Sequence, residues 1–501
     1  MDVNMAISQA KGQGMPAAAA ARPDTLYPVL FIFSGEQTGI HQQEETLYMD
    51  ALLTLIDKGN TFLWSFLLLV MLVGTGVYYT IRLKFIQIRR FREGWHEVFG
   101  NFSLSGQKHE KGEMTSFQAI ATAIAAQVGT GNLAGAATAL IGGGPGAIFW
   151  MWVSAFFGMA TIYSEAVLAQ TYRTEKHGEI TGGPVYYIKA AFKGTLGRVM
   201  AGLFAVFIIL ALGFMGNMVQ SNSIGAAFAE VFAEFGLALP PVTVGLVLAV
   251  IAAFIFLGGT RRLAAVVEKL VPIMAIIYIF GSLILILLHI TALPRAVAMI
   301  FVGAFSPQAV LGAGAGIGVR EAVRFGVARG LFSNEAGMGS TPHAHARARA
   351  SSPHHQGMCA MVSVFIDTFI ILNLTVFSIL TTGVMDSGKT GVALAQQAFA
   401  SSFGRFGTVF IAVCLLFFAF STILGWHFFG ETNVRYLFGD RASRIYSLLV
   451  VLFIVIGSTL KVQLVWDLSD FFNGLMVIPN VCALIALTAV VRKEAGRHGA
   501  L

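Results

Sequence analysis

The sequence contains little charge. Asp, Glu, Lys and Arg make up 12% of its 501 residues, about half the share usual in soluble domains, whereas hydrophobic residues make up 56%. Since so few charged side chains cannot give a soluble chain of this size a polar surface, long apolar segments must lie in lipid. The shortage of charge therefore predicts an all-α polytopic membrane protein.

Cysteine is also scarce, and Cys359, Cys414 and Cys482 lie far apart in apolar segments. This spacing excludes a disulfide framework and a thiolate metal site. The sequence lacks a P-loop, which argues against ATP-driven transport, and it shows no recognisable acid-base or nucleophile arrangement of an enzyme. Its net charge of +7 comes from basic residues scattered through short loops, so we expect no nucleic-acid partner.

Windows of about 20 residues identify the membrane spans. They predict eleven helices, near 62–81, 116–141, 146–171, 198–219, 241–259, 264–289, 308–333, 357–383, 406–427, 445–461 and 471–491. The loops on one side carry about three times as many Lys and Arg residues as those on the other. This imbalance predicts a plasma-membrane protein whose N-terminus is outside and whose C-terminus is cytoplasmic.

The spans divide the chain into six parts. They are an N-terminal extracytoplasmic tail (1–61), a peripheral transmembrane helix (62–81), a cytoplasmic amphipathic basic linker (82–115), a first five-helix repeat (116–289), a second five-helix repeat (290–491) and a cytoplasmic tail (492–501). The linker places Phe85, Ile88 and Phe91 among arginines, a pattern that fits either a helix along the lipid interface or a solvated loop.

One predicted span is interrupted by two glycines. Gly129 and Gly131 lie within Gln127–Asn132, inside the apolar run 117–140. A helix break at membrane depth is tolerated only where protein or a polar cavity satisfies the freed backbone groups. The interruption therefore predicts a binding site for a solute or an ion.

The ten helices after the peripheral one divide into five and five, and each five begins with a glycine-rich span. The second interruption is predicted within Gly312–Gly318, after Phe305-Ser306-Pro307. Paired interruptions in two halves of opposite topology are typical of inverted-repeat transporters, although glycines also serve simply to let helices pack closely.

Uncharged polar side chains accompany the interruptions. They are Thr130, Asn132, Asn217, Gln220, Ser421, Thr422 and Trp426. Hydroxyl and carbonyl oxygens suit a hard cation, while the two ends of an unwound helix suit an anion and a cation together. A zwitterion with a monovalent cation fits this combination, and interhelical hydrogen bonding is the alternative explanation for each side chain.

Several motifs in the same order make the chain resemble the alanine or glycine:cation symporters, also called the sodium:alanine symporter family. The resemblance covers about 117–487 through Val128–Gly135, Gly143–Ala147, Gly182–Ile188, Gly216–Gln220, Arg329–Gly337, Ile423–Trp426 and Trp466–Gly474. It implies a LeuT-type fold of two inverted five-helix repeats, with about eleven transmembrane helices in all. It further implies sodium-coupled symport of alanine or glycine by alternating access, with no cofactor beyond the coupling ion.

The resemblance also implies a set of site residues. The substrate would be bound by Thr130, Gly131, Gln220, Phe325, Gly326, Thr422 and Trp426. Sodium would be held by Ala125, Val128, Ser421 and Thr422, with Asn132 at a second cation site or holding the unwound backbone. Gln127 and Ser421 depart from the expected pattern, and the carboxamide of Gln127 leaves proton coupling open as the alternative.

Two other expectations concern mechanism. A channel is the less favoured class, because the sequence shows no repeated filter motif. Charges inside apolar segments suit gating pairs, and we expect Arg324, Arg329 and Glu335 to help close the cytoplasmic side. The partners expected are a small amino-acid substrate and the lipid bilayer.

Overall fold

Apolar segments fold here into helices, because a helix satisfies its backbone N–H and C=O groups internally. The computed structural model describes residues 53–100, 114–176, 179–306, 318–460 and 462–500. Contacts divide the chain into Met1–Leu55 and Ile56–Leu501, and the elements below belong to the second unit. The predicted tail is therefore largely outside the described residues, as are 101–113 of the predicted linker and the glycine-rich 307–317.

The elements of the first half run from the peripheral helix to a long apolar span. A π-helical segment Leu63–Leu67 precedes α1 (Leu68–Arg82), and the linker forms α2 (Ile86–Arg89) and α3 (Phe91–Phe99). The remaining helices are α4 (Ser116–Gln127), α5 (Ala136–Gly143), α6 (Gly146–Thr171), α7 (Pro184–Ala191), α8 (Gly194–Ile208), α9 (Asn217–Glu234), α10 (Pro241–Phe256) and α11 (Gly259–Leu288). Further π-helical segments, Gly131–Gly135 and Ile209–Gly216, precede α5 and α9.

The second half repeats this alternation of long and interrupted helices. Its helices are α12 (Leu293–Phe305), α13 (Val319–Asn334), α14 (Pro342–Arg347), α15 (Pro353–Val364), α16 (Asn373–Thr382), α17 (Gly391–Phe403), α18 (Arg405–Phe438), α19 (Asp440–Thr459), α20 (Val462–Ala486) and α21 (Thr488–Arg497). The π-helical segment Phe365–Leu372 joins α15 to α16, and the 3-10 turns are Ile290–Ala292 and Val384–Ser387.

Two short sheets connect the ends of these helices. β1 (Met114–Thr115) pairs in parallel with β4 (Ala348–Arg349), with Met114 opposite Ala348. β2 (Thr174–Lys176) and β3 (Glu179–Thr181) form an antiparallel hairpin. The first pairing places the beginning of α4 beside the end of α14.

Seven helices in the described ranges are long and apolar enough to cross a membrane. An eighth span is formed if α4 and α5, whose axes differ by 44°, count as one broken helix. The seven overlap seven of the predicted spans and the broken pair overlaps an eighth. Two further predicted spans coincide with the shorter α1 and α10, and the last falls partly on α13. The total of eleven stays a prediction.

Helices of the two halves pack in corresponding pairs. α6 lies against α15, α9 against α18, and α10 against α19, while α13 contacts α5. Each pair joins a span of the first predicted repeat to the span in the same position of the second. This regular pairing is the arrangement expected of two structural repeats.

In its described residues the amphipathic linker contains the helices α2 and α3 and ends in strand β1. α3 packs against α15, and Phe91 meets the ring of Phe365 at 4.8 Å. Phe85, Ile88 and Trp95 are exposed on the same segment. The helical form and exposed apolar side chains favour the interfacial interpretation of this linker over a solvated loop.

Candidate functional site

The first helix break lies where the glycine pattern predicts it. α4 ends at Gln127, and Val128 leaves the helical conformation with φ −83° and ψ 87°. Chain direction then changes by 44° before the helix resumes. The break therefore presents the C-terminal carbonyls of α4 and the N-terminal end of the next helical segment to one buried space.

Close approach of neighbouring elements explains both glycines. A Cβ at Gly129 would lie 2.4 Å from Oγ1 of Thr422, and one at Gly131 would lie 3.0 Å from Cα of Ser333. Gly129 also approaches Gln220, whose Oε1 would be 3.3 Å from the added atom. These side chains can reach the unwound backbone only because the glycines carry none of their own.

Thr422 of α18 connects the break to the opposite helix. Its hydroxyl lies 2.8 Å from the carbonyl oxygen of Ala125, 3.4 Å from that of Val128 and 3.0 Å from that of Phe418. Oxygen ligands therefore converge from two helices on a buried point. Ser421 is placed differently, because its hydroxyl donates to Phe418 O and approaches Sδ of Met274. The structure thus brings Ala125, Val128 and Thr422 together but turns Ser421 aside.

Gln220 and Asn132 hold the backbone of the break. Oε1 of Gln220 accepts the N–H of Thr130 at 3.2 Å, and Oδ1 of Asn132 accepts the N–H of Gly129 at 3.0 Å. Oγ1 of Thr130 is buried with no hydrogen-bond partner among the described residues. A buried hydroxyl without a partner is costly, so it marks a position where a ligand could bond.

Asp367 is an acidic residue of this site that the predicted ligand set omits. Its Oδ1 accepts Nδ2 of Asn132 at 2.7 Å, and the hydroxyls of Ser333 and Thr368 also donate to its carboxylate. Asp367 is fully buried and lies in a π-helical segment of the span formed by α15 and α16. An acidic residue in an apolar run is the sequence signal that could have identified it, since π-bulges and intramembrane charges are frequent at functional sites.

A helix break in the second half of the chain, the second break, lies between α13 and α14. α13 ends at Asn334, and Glu335, Gly337 and Gly339 follow with positive φ values of 56°, 86° and 83° before α14 begins at Pro342. The prediction placed the interruption at Gly312–Gly318, most of which lies outside the described residues. The observed break uses left-handed glycines, and a proline at the first position starts the next helix.

A carboxylate from another span satisfies the backbone of the second break. Glu165 of α6 accepts the N–H groups of Gly337 and Gly339, each at 2.9 Å, and Nδ2 of Asn480 at 2.7 Å. Glu335 accepts Nε1 of Trp426 and the hydroxyl of Ser340, each at 2.5 Å. Glu335 is thus part of the buried centre rather than of a gate on the cytoplasmic side.

Phe325 and Gly326 lie apart from these clusters. A Cβ at Gly142 or Gly143 would meet the ring or Cβ of Phe325, and one at Gly326 would meet the carbonyl of Ala147. Both residues precede the second break by about two and a half helical turns. The structure therefore groups Thr130, Gly131, Gln220, Thr422 and Trp426 around the breaks and places Phe325 and Gly326 at the contact of α13 with α5 and α6.

Two ion-pair groups lie on opposite sides of the second break. Arg329 of α13 pairs with Asp470 at 2.9 Å, whereas Arg324 pairs within its own helix with Glu321 at 3.5 Å. Beyond the break, Arg347 pairs with Glu179, which also pairs with Arg435. In the predicted orientation the first group would be extracytoplasmic, whereas Arg324 and Arg329 are expected to close the cytoplasmic side, so these two predictions cannot both hold.

The chain is similar to known proteins that are named as symporters or carriers. A profile of the Sodium:alanine symporter family matches residues 49–498. The sodium/alanine symporter AgcS of Methanococcus maripaludis is 40% identical over 88% of this chain and 96% of its own. The probable sodium/glutamine symporter GlnT of Bacillus subtilis is 39% identical over 87% and 88%. The putative sodium/proton-dependent alanine carrier protein YrbD of Bacillus subtilis is 38% identical over 85% and 88%.

A solved structure has the same fold at low sequence identity. The crystal structure of MhsT in complex with L-phenylalanine superimposes with a TM-score of 0.56 at 14% identity, covering 76% of this chain and 90% of that one. Such a match concerns the fold alone. It confirms the LeuT-type architecture that the resemblance implies.

Proposed function

The chain belongs to the sodium:alanine symporter family, and from this we propose that it carries a small neutral amino acid, alanine or glycine, together with sodium across the plasma membrane. Its relatives are membrane transporters of amino acids rather than enzymes. Transport would proceed by alternating access, with the two breaks at the substrate.

The observation that supports this function best is the convergence on Thr422. Its hydroxyl and the carbonyl oxygens of Ala125 and Val128 come from two helices that face each other across the first break. A sodium ion would bind between these oxygens, replacing the hydrogen bonds that the hydroxyl now donates. Neutral oxygen ligands suit a hard monovalent cation, and the C-terminal end of α4 favours positive charge.

The substrate carboxylate would bind on the other side of the break, at the N–H groups of Thr130 and Gly131. Gln220 now accepts the Thr130 N–H, so its side chain must move or share that donor when the substrate enters. The unpartnered hydroxyl of Thr130 supplies a further donor. The following helical segment points its N-terminal end at this place, which favours a negative group.

Packing around Trp426 limits the size of the substrate. A Cβ at Gly216 would lie 2.5 Å from the indole ring, and the ring of Phe332 meets the indole edge-on at 6.1 Å. Trp426 is 2% exposed. A side chain longer than that of alanine would need the indole to move.

A cation carried with a zwitterion moves one net charge, which is worth about 2.3 kcal/mol per 100 mV of membrane potential. At 100 mV this alone sustains about 50-fold accumulation, since 1.4 kcal/mol is a factor of ten. Proton coupling would use the same membrane potential, so the energetics do not separate the two ions.

The test is uptake of radiolabelled alanine into proteoliposomes that contain the purified protein, with sodium and proton gradients imposed separately. We expect an inward sodium gradient to drive accumulation when the pH is equal on both sides. Accumulation driven by the proton gradient alone would establish the alternative coupling ion. Flux without saturation and without either gradient would contradict symport.

A further inference from the structure

Glu335 is a buried carboxylate at the second break, and it has two specific donors. Its Oε1 accepts the indole N–H of Trp426 and its Oε2 accepts the hydroxyl of Ser340. No ion pair links Glu335 to a basic side chain in the ranges that the structure describes. The contact to Trp426 therefore accounts for half of the hydrogen bonding that this carboxylate makes there.

The indole of Trp426 is held from three directions. Glu335 fixes its N–H, the backbone at Gly216 faces its six-membered ring, and Phe332 packs against it edge-on. The two packing contacts are apolar, and the χ2 torsion of a tryptophan side chain has broad minima. The hydrogen bond to Glu335 adds a polar contact that fixes where the indole N–H points.

We propose that Glu335 is a positioning residue that sets the upper size limit of the substrate by fixing the Trp426 indole against Gly216. This inference rests on the proposed function, since it names what determines selectivity at the same site. Glu335 does not itself touch the substrate. It acts through Trp426 and holds the wall of the pocket in its inward position.

The contact also joins two different parts of the fold. Trp426 belongs to α18, whereas Glu335 follows α13 in the second broken span. Removing the carboxylate leaves the indole N–H without its acceptor, and a buried unpaired donor turns toward any other acceptor it can reach. The indole would then leave the position that excludes longer side chains.

The experiment measures competition for labelled alanine uptake in proteoliposomes by unlabelled glycine, alanine, valine, leucine and phenylalanine. Glu335→Ala should improve competition by leucine relative to alanine about tenfold, the effect of losing one good contact. Trp426→Phe, which lacks the N–H, should change the profile in the same direction. Combined with Glu335→Ala it should add little, because both changes remove the same hydrogen bond.

Two variants distinguish the positioning role of Glu335 from an effect of its charge and from a general loss of folding. Glu335→Gln keeps a carbonyl oxygen for the indole and should keep the wild-type size profile within about twofold. Ser340→Ala removes the other donor to Glu335 and should leave the profile unchanged. If Glu335→Ala fails to insert or fold, Trp426→Phe and Glu335→Gln still decide the question.

A wild-type profile in Trp426→Phe, or relaxed selectivity in Glu335→Gln equal to that of Glu335→Ala, would overturn the proposal. Failure of the proposed function has a different result, because the wild-type protein would then accumulate no amino acid under a sodium gradient. In that case the emission spectrum of Trp426, taken as the difference between the wild type and Trp426→Phe, would still test the contact. It should change in Glu335→Ala and not in Ser340→Ala.

Discussion

The two helix breaks are satisfied in different ways. At the first, the neutral side chains of Gln220, Asn132 and Thr422 bond the unwound backbone. At the second, the carboxylate of Glu165 binds two backbone amides of Gly337 and Gly339. In the proposed function the first break exchanges these partners for an ion and a substrate, whereas the second keeps Glu165 as its partner.

A single helix face connects the two breaks. Thr422 and Trp426 are four residues apart on α18, so they lie on the same face one turn apart. The first contacts the carbonyls of Ala125 and Val128, and the second contacts Glu335. The proposed ion site at one break and the proposed pocket wall at the other thus share one helix.

The largest effect is expected from a substitution that prevents the close approach of Thr422 to the first break. Gly129→Ala would place a Cβ 2.4 Å from Oγ1 of Thr422, so we expect sodium-dependent uptake to be lost. Gly135→Ala is the matched control, because a Cβ there meets no atom within 4 Å. Equal uptake by the two variants would contradict the close approach on which the site depends.

The next test concerns the rigidity of the second break. Glu165→Ala leaves the buried amides of Gly337 and Gly339 without their acceptor and removes one of the two acceptors of Asn480, at a cost of about 1–3 kcal/mol for each unpaired amide. We expect a clear fall in the unfolding temperature of the detergent-solubilised protein, followed by intrinsic fluorescence. Glu175→Ala on the exposed β2 strand is the control. An unchanged unfolding temperature for Glu165→Ala would contradict the claim that Glu165 stabilises the second break.

A smaller change in function is expected from enlarging the pocket directly. Trp426→Ala removes the indole wall and should admit larger amino acids, with about a tenfold gain for leucine over alanine in competition assays. The reason is that the space beside Gly216 becomes available to the substrate. Unchanged selectivity would contradict the role of Trp426 as a wall of the pocket. It would also contradict the role of the second break in positioning that wall.

The smallest effect is expected away from both breaks. Asp470→Asn weakens a partly buried ion pair with Arg329, so we expect a change in uptake rate of less than about threefold. Asp386→Asn, an exposed aspartate in the 3-10 turn, should have no effect. Loss of uptake in Asp470→Asn would place a principal determinant of transport outside the two breaks.

A local sequence pattern indicates the first break, whereas none indicates the break at 335–341, for a physical reason. Gly129 and Gly131 interrupt an apolar run, so the local pattern alone marks the position. The second break depends on Glu165, which precedes Gly337 by more than a hundred residues in the chain, and no local pattern indicates such a partner. The interruption predicted at 312–318 lies outside the described residues except for Gly318 and stays a prediction.

Local sequence patterns are limited in the same way for individual site residues. Thr130, Gln220 and Thr422 lie together as predicted because each belongs to a motif beside the breaks, although their roles in binding stay predictions. Ser421 turns toward Met274, since a helix presents adjacent residues to different directions. Phe325 and Gly326, which the resemblance implies as substrate ligands, lie where α13 packs against α5 and α6, and their role in binding stays a prediction. For Asp367 the sequence gives one local signal, which is an acidic residue in an apolar segment.

The most direct test of the central claim is equilibrium binding of radiolabelled alanine to the purified protein as the sodium concentration varies. The account predicts that affinity for alanine rises with sodium in the wild type, and that Thr422→Val abolishes this dependence. Thr432→Val on the same helix, whose hydroxyl bonds the carbonyl of Phe428 within that helix, should behave as the wild type. Sodium-dependent binding that survives unchanged in Thr422→Val would contradict the account.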